Sequence, residues 1–179
     1  MNEPVQEGVA SDGNGIVLVC APFADIRRPT LAELTASSTY RITYGLTTDG
    51  FDHQTDIAKI TTGRWMLKQA LSKDGVITDT VIFRYVYNRE TPTEVEEMLG
   101  IPGVDYDIVV INGYPNGHVI DEDTKINVII PITTSISKDV PPTTNTELAK
   151  EMSPNIRGEV AREHEIQIVA GSGSGGSEG

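Results

Sequence analysis

RRPTLAELTA, residues 27–36, is the stretch on which the fold assignment of this chain rests. Pro29 suits the first position of a helix because it has no N–H to leave unpaired, and the two leucines lie three residues apart on one helix face. The stretch lies between an apolar run, residues 16–20, and a predicted strand, residues 40–46. A short helix beside strands, with no catalytic residues around it, favours a structural role over catalysis.

With its flanks, this stretch resembles the major tail tube proteins of long-tailed bacteriophages of actinobacteria. The shared features are a leading apolar strand, a Pro-Thr-x-x-Glu-Leu helix at residues 29–34, and a strand that runs into the polar sequence GLTTDGFD, residues 45–52. The likeness extends over residues 16–168. It implies a structural virion protein of a non-contractile, siphovirus-type tail.

The resemblance also implies how the protein works. Hexameric rings would stack into the tail tube, the conduit for genome ejection, with sheet edges paired between subunits into a continuous inner barrel. A long hairpin or loop and terminal arms would bridge from ring to ring. The implied partners are other copies of the chain, tape-measure and tail-tip proteins, and DNA that passes through an acidic lumen without specific binding. The implied location is the virion tail. The acidic N-terminus, which lacks a secretory signal, predicts assembly in the host cytoplasm, and the sequence predicts no membrane partner and no cofactor.

One segment is the candidate for contact between rings. The Asp49-Gly50 dipeptide, a common hairpin turn, lies within polar residues 47–56 and predicts a protruding hairpin tip or loop. Under the resemblance this segment corresponds to the ring-stacking loop. The residues predicted to contact the next ring are Asp49, Gly50, Phe51, Asp52 and His53. For Phe51, a place in the core of its own subunit is the alternative.

Length and composition indicate one domain. The chain has 179 residues and 38% hydrophobic residues, enough for a sizeable core, and no apolar run approaches the roughly 20 residues that cross a bilayer. The acidic N-terminus lacks the apolar segment of a secretory signal. We predict a flexible N-terminal arm over residues 1–15, a tail-tube-like β domain over residues 16–170, and a Gly/Ser-rich tail over residues 171–179.

The net charge of −12 is concentrated in the second half of the chain. Residues 1–90 hold nine Lys and Arg against eleven Asp and Glu, whereas residues 91–179 hold five against fifteen. Tight nucleic-acid binding needs a basic surface, which this composition does not provide. The excess acid either keeps an abundant protein soluble or, under the resemblance, forms a channel wall to which DNA does not adhere.

The pattern of β-branched and aromatic residues predicts a mainly β fold, an antiparallel β-sandwich or partly closed barrel with one flanking α-helix. Residues 73–75 predict a turn, residues 63–72 a strand or, less well, a helix, and residues 145–152 a short helix. The remaining predicted strands are residues 39–45, 57–62, 76–87, 107–112, 125–136 and 158–170.

The flanking helix is TPTEVEEMLG, residues 91–100. Its first threonine is predicted to cap the helix, the proline to take the first helical position, and the glycine to end it. Val95, Met98 and Leu99 are spaced to form the face that packs on the sheet. The glutamates of this helix are predicted to face water.

The residues that could carry chemistry do not combine into a known site. His53, His118 and His164 are widely spaced, and the chain has neither a zinc-ligand pair, nor a nucleophile elbow, nor a phosphate-binding or dinucleotide-binding loop. Cys20 lies in an apolar run and is predicted to be a buried hydrophobe. We therefore predict no catalytic residue and no metal site.

Two groups of acidic residues could instead indicate a catalytic pair or a calcium site. Asp105 and Asp107 point to one side of a strand, as in a glycosidase, but such pairs arise by chance in an acidic chain with few aromatic residues. The triplet at residues 121–123 lacks the alternation, glycine and closing glutamate of a calcium loop, and a solvated turn is favoured.

Two other classes of protein remain as alternatives. A head–tail joining or decoration protein of the virion would share the β-rich scaffold but form a single ring or cap a lattice. A cellular β-sandwich binding module would need an aromatic patch, for which Trp65, Tyr85 and Tyr87 are the candidates unless they belong to the core.

Overall fold

The structure is a computed structural model that describes residues 8–11, 13–66 and 68–170. It contains two antiparallel β-sheets and two short α-helices, which confirms the predicted mainly β fold. The strands are β1 (Gly15–Cys20), β2 (Tyr40–Arg41), β3 (Leu46–Thr62), β4 (Leu71–Val86), β5 (Asp105–Asn112), β6 (Val128–Thr133), β7 (Lys138–Asp139), β8 (Ala149–Met152), β9 (Asn155–Ile156) and β10 (Ala161–Arg162). The helices are α1 (Leu31–Leu34) and α2 (Glu94–Leu99).

The larger sheet has the order β10-β6-β5-β1-β2, with β9 also paired to β6. The smaller sheet has the order β3-β4-β8-β7. Strand β1 pairs with β5 along the whole length of β1, from Gly15 opposite Asn112 to Cys20 opposite Asp107. The centre of the larger sheet therefore joins segments about 90 residues apart in the chain.

The main core lies between the two sheets. It is built from alternate residues of β1, β4, β5 and β6, together with one face of α2. The buried members are Val17, Val19, Ile42, Val81, Phe83, Tyr85, Val95, Leu99, Ile108, Val110, Val128, Ile130, Ile132 and Met152.

A second core covers the opposite face of the larger sheet. Strand β1 contributes its other alternate residues to it, Ile16, Leu18 and Cys20, and α1 contributes Leu34. Because β1 is buried on both faces, its sequence is continuously apolar instead of alternating with polar residues.

Both helices begin later than predicted. Thr30 caps α1, since its hydroxyl accepts the Glu33 N–H at 3.2 Å, and Thr93 caps α2 in the same way. Pro29 and Pro92 therefore precede the caps instead of taking the first helical positions. A threonine hydroxyl satisfies one of the free N–H groups of the first turn, which places the boundary one residue after each proline.

The largest corrections concern β3 and β4. The predicted loop at residues 47–56 lies inside β3, and the predicted turn at residues 73–75 lies inside β4. The chain reverses between Thr62 and Leu71, which face each other at the end of the hairpin, whereas a strand was predicted over residues 63–72. Both turn-like sequences coincide with shifts in the β3–β4 register, so they form bulges within a long hairpin.

The C-terminal part of the domain also differs from the prediction. The predicted helix at residues 145–152 contains β8, which pairs with β4, because sheet pairing outweighs a weak helical preference. The predicted strand at residues 158–170 contains only β10, a 3₁₀ turn at Glu163–Glu165 and a bridge from Val169 to Thr30.

The predicted arms lie largely outside the described residues, which omit residues 1–7, 12, 67 and 171–179. The domain boundaries thus stay a prediction. Among the described helices, none has the length and apolar character needed to cross a membrane.

Candidate assembly interface

Strands β3 and β4 form a long hairpin with two different halves. In the half next to the body, Val81, Phe83 and Tyr85 are buried in the main core. From the opposed pair Ile57 and Ile77 outward, apolar side chains are exposed on both strands and on the loop between them. These exposed side chains are Ile57, Ile60, Trp65, Met66, Leu71, Val76 and Ile77. We call residues 57–77 the distal hairpin.

The distal hairpin is a two-stranded ribbon with open edges. Among the described residues, β3 pairs only with β4, and β8 pairs with β4 only over residues 83–86. An isolated two-stranded ribbon is marginally stable in water, and a long exposed edge with apolar side chains is a template for pairing or docking. This part of the fold has the properties of an interface.

Asp79 fixes the hairpin where it leaves the body. Its carboxylate accepts hydrogen bonds from Thr55 Oγ1 at 2.6 Å and from the Arg162 guanidinium at 3.0 and 3.1 Å, and it contacts His53 Nε2 at 3.0 Å. Its side chain is only 8% exposed. Burial raises the pKa of Asp79, but these hydrogen bonds and the Arg162 charge outweigh that effect and hold it below its usual value.

Gly50 marks the first bulge of the hairpin. A Cβ at this position would lie 2.4 Å from the Arg84 carbonyl oxygen and 2.5 Å from the Thr47 amide nitrogen, so only glycine fits. Arg84 also pairs with Asp49 of the bulge and donates from Nε to Glu151 of β8 at 2.7 Å. The polar sequence here therefore serves the join between β3, β4 and β8.

The five residues predicted to contact the next ring all lie in the half of the hairpin next to the body. Asp49 and Gly50 belong to the bulge, and the Phe51 ring packs against Phe83 with centroids 5.5 Å apart. Asp52 accepts a hydrogen bond from Gln54. His53 belongs to the Asp79 cluster, which is Asp79 with the three side chains that contact its carboxylate, those of His53, Thr55 and Arg162. Phe51 thus packs on its own core, and contact of the five with another ring stays a prediction.

The residues that sequence reasoning missed are at the tip. Trp65 and Met66 are each 91% exposed, and Met66 has a φ of 73°, a left-handed conformation typical of a tight turn. The sequence carries a sign of this, since the one tryptophan of the chain follows Gly63 and Arg64 in a stretch without clear periodicity. Tyr85, by contrast, is a core residue.

Helix α2 packs against the base of the hairpin. Val95 and Leu99 are buried, and Met98 packs against the same core. Glu96 does not face water as predicted: Lys150 of β8 donates to it at 2.6 Å, and the ammonium lies 4.8 Å from the centre of the Tyr87 ring.

The two carboxylates that could have formed a catalytic pair each contact a structural partner. Asp107 is fully buried, where it accepts the Phe23 N–H at 2.7 Å and pairs with Arg157. Burial raises the pKa of Asp107 although both partners oppose the shift. Asp105 accepts the Thr133 hydroxyl instead, so the two carboxylates are not a free pair.

Within the described ranges, no three His, Cys, Asp or Glu side chains come together as metal ligands. His118 stacks on Tyr114 with ring centres 4.2 Å apart, and Asp121 accepts the hydroxyl of Thr124 within the predicted acidic turn. Cys20 is buried, and burial raises its thiol pKa to about 12.

A family model described as phage tail tube protein matches residues 3–167. The chain therefore belongs to the phage tail tube protein family and is a structural component of the virion tail. No curated protein matched the sequence.

Proposed function

We propose that the protein polymerises as stacked hexameric rings that form the tail tube, and that the phage genome leaves the capsid through it. The single observation that carries this proposal is the distal hairpin, which extends from the body with apolar side chains and strand edges uncovered. A subunit that stays alone leaves this surface in water, whereas a neighbouring subunit can cover it.

Two kinds of contact follow from the sheet order. The smaller sheet has β3 at one edge and β7 at the other, and pairing these edges between neighbours would close a ring of sheets. The distal hairpin is the candidate for the contact between rings, with residues 49–53 near its base. The terminal arms, residues 1–15 and 171–179, are proposed to add to this contact.

The smaller sheet is also the proposed wall of the channel. Phe51 and His53 are opposite the buried Phe83 and Val81, so strand alternation directs Asp52 and Asp56 to the other face. A channel bordered by this face would present carboxylates to DNA and would not bind it tightly. A density map of the filament tests this, and a channel lined by the larger sheet would contradict it.

The partners we propose are further copies of the chain together with tape-measure and tail-tip proteins. We also propose that the role is not enzymatic, because Asp105 and Asp107, the candidate catalytic residues, are both held by structural partners. A head–tail joining protein would form one ring without open stacking, so filament formation separates the two roles.

The test is a variant in which residues 58–76 are replaced by Asn-Gly. This two-residue turn would join Ile57 directly to Ile77, which face each other across the hairpin, and would leave the Asp79 cluster in place. By negative-stain electron microscopy we expect the wild type to form stacked rings or hollow filaments, alone or with tail-tip proteins. The shortened variant should stay folded, by circular dichroism, without stacking. Filaments from the shortened variant would contradict the role of the distal hairpin in the contact between rings. Dispersed wild-type monomers under both conditions would contradict the proposed tube.

A further inference from the structure

We propose that the Trp65–Met66 tip of one subunit docks into an acid-edged apolar groove on a second copy of the chain. The groove lies between residues 122–126 and residues 163–168. This inference rests on the proposed function, because it names the receiving site for the contact made by the distal hairpin.

The tip has the opposite charge from the rest of the molecule. The distal hairpin contains Lys59, Arg64, Lys68 and Lys73 but only one acidic residue, Asp74, so its formal charge is +3 in a chain of −12. Lys59 pairs with Asp74. The excess positive charge therefore surrounds the exposed Trp65 and Met66.

The groove complements the tip in both charge and polarity. Ile126, Ile166 and Ile168 are the apolar residues that line it, and all three pack in the second core. Its edges carry Glu122, Asp123 and Glu163, beside Lys125 and His164, in a cavity of about 570 Å³. Tryptophan and arginine are the side chains that contribute most often to the centre of a protein interface, and opposite charges around them favour encounter in the correct orientation.

The groove that receives the tip belongs to another subunit. It begins at Glu163, next to the Arg162 contact that fixes the hairpin base, and hairpin residues are absent from those that line it in the described chain. From Thr55 to Thr62 the strand extends over seven residues, or about 24 Å at roughly 3.4 Å per residue. The tip therefore lies about 24 Å along the strand from the hairpin base, beside which the groove of its own chain begins.

Tip and groove are different surfaces, so their contact is heterologous. A heterologous contact leaves one free tip and one free groove after each addition, and it continues without closing if the subunits are displaced along an axis. The geometry thus produces open stacking of the kind a tube requires.

The first test is cross-linking between two variants. One carries Met66→Cys and the other carries Gln167→Cys in the groove. Each is added as a small fraction to wild-type subunits, so that the filaments do not depend on either variant. After co-assembly, a short bis-maleimide should link the two variants at least fivefold more than it links Met66→Cys to Glu147→Cys, an exposed position outside the groove. The native Cys20 is buried and does not compete.

The second test reverses the charges. Arg64→Glu with Lys68→Glu should abolish filaments, and adding Glu122→Lys with Asp123→Lys in the same chain should restore them. Arg89→Glu with Glu147→Lys exchanges two exposed charges outside both surfaces without changing the net charge. It is the control for the four-site variant and should assemble as the wild type does.

The outcomes separate the two proposals. Filaments without preferential linking to residue 167, or without rescue by the reversed groove, would overturn the tip–groove contact and leave the tube in place. A wild-type chain that never polymerises, even with tail-tip proteins, would overturn the proposed function and the tip–groove contact with it.

Discussion

Arg162 binds both carboxylate oxygens of Asp79, at 3.1 and 3.0 Å, across the gap between the two sheets. Arg162 belongs to β10 of the larger sheet and Asp79 to β4 of the smaller sheet. The pair lies where the hairpin leaves the main core, so it controls the direction of the distal hairpin relative to the body.

Replacing Arg162 with Met should lower the free energy of unfolding by about 1–3 kcal/mol, because the nearly buried Asp79 loses its charged donor. Amide exchange in β3 and β4 beyond Asp79 should also become faster. Chemical denaturation and hydrogen exchange measure the two effects. The exposed Arg27–Glu159 pair provides the control, since solvent screens it and Glu159→Gln should cost much less than Arg162→Met. Equal losses in both variants would contradict a special role for Arg162.

The same pair predicts a dependence of stability on pH. The pKa of Asp79 is depressed in the folded protein, so its contribution to stability is present above its unfolded pKa of about 3.9 and is lost as the pH falls through the folded value. The wild type should therefore lose more stability between pH 6 and pH 3 than Asp79→Asn does. Denaturation of both proteins at the two pH values tests this, and parallel losses would mean that Asp79 is not perturbed.

Gly50→Ala should destabilise the protein by about 2 kcal/mol or more, because the added methyl group meets backbone atoms that cannot move independently. Gly117→Ala is the control: its Cβ would meet no atom within 4 Å, and little change is expected. Thermal unfolding of the two variants provides the comparison. A Gly50→Ala protein as stable as the control would show that the bulge can relax.

How much of this arrangement the sequence predicts depends on the range of the interactions. The presence of α2 and its apolar face, the apolar strand β1 and the mainly β class follow from local spacing, although the cap of α2 is Thr93 and not Thr91 as predicted. The location of the hairpin tip does not, because Asp49-Gly50 has the composition of a turn and is held in a bulge by Arg84, 35 residues away. The exposure of Trp65 could not be predicted either, because an aromatic residue usually belongs to the core. Only the register of β3 on β4 places Trp65 outside the core.

Trp65 is the only tryptophan of the chain, so its fluorescence reports on the tip directly. In the free subunit, emission should resemble that of tryptophan in water and be strongly quenched by acrylamide. On filament formation, the emission should shift to shorter wavelength and the quenching should decrease. Filaments in which the emission of Trp65 is unchanged would contradict burial of the tip.

Cys20 should be unreactive in the folded protein. Burial is the main cause that raises its thiol pKa to about 12, with the charges of Asp107 and Glu33 acting in the same direction. At pH 8 a thiol-specific reagent should therefore modify the native chain far more slowly than the chain in denaturant. Comparable rates in the two states would mean that the strand containing Cys20 opens readily.

The late position of Arg162 in the chain affects when the hairpin is fixed during translation. A ribosome makes the whole hairpin before it reaches residue 162, and the central pairing of β1 with β5 also waits for residues about 90 positions further on. The hairpin is therefore fixed in direction only after nearly the whole domain has been translated. Nascent chains on one messenger RNA would not yet present a correctly aimed tip to one another. Under the proposed assembly, the order of translation would delay polymerisation until subunits are complete.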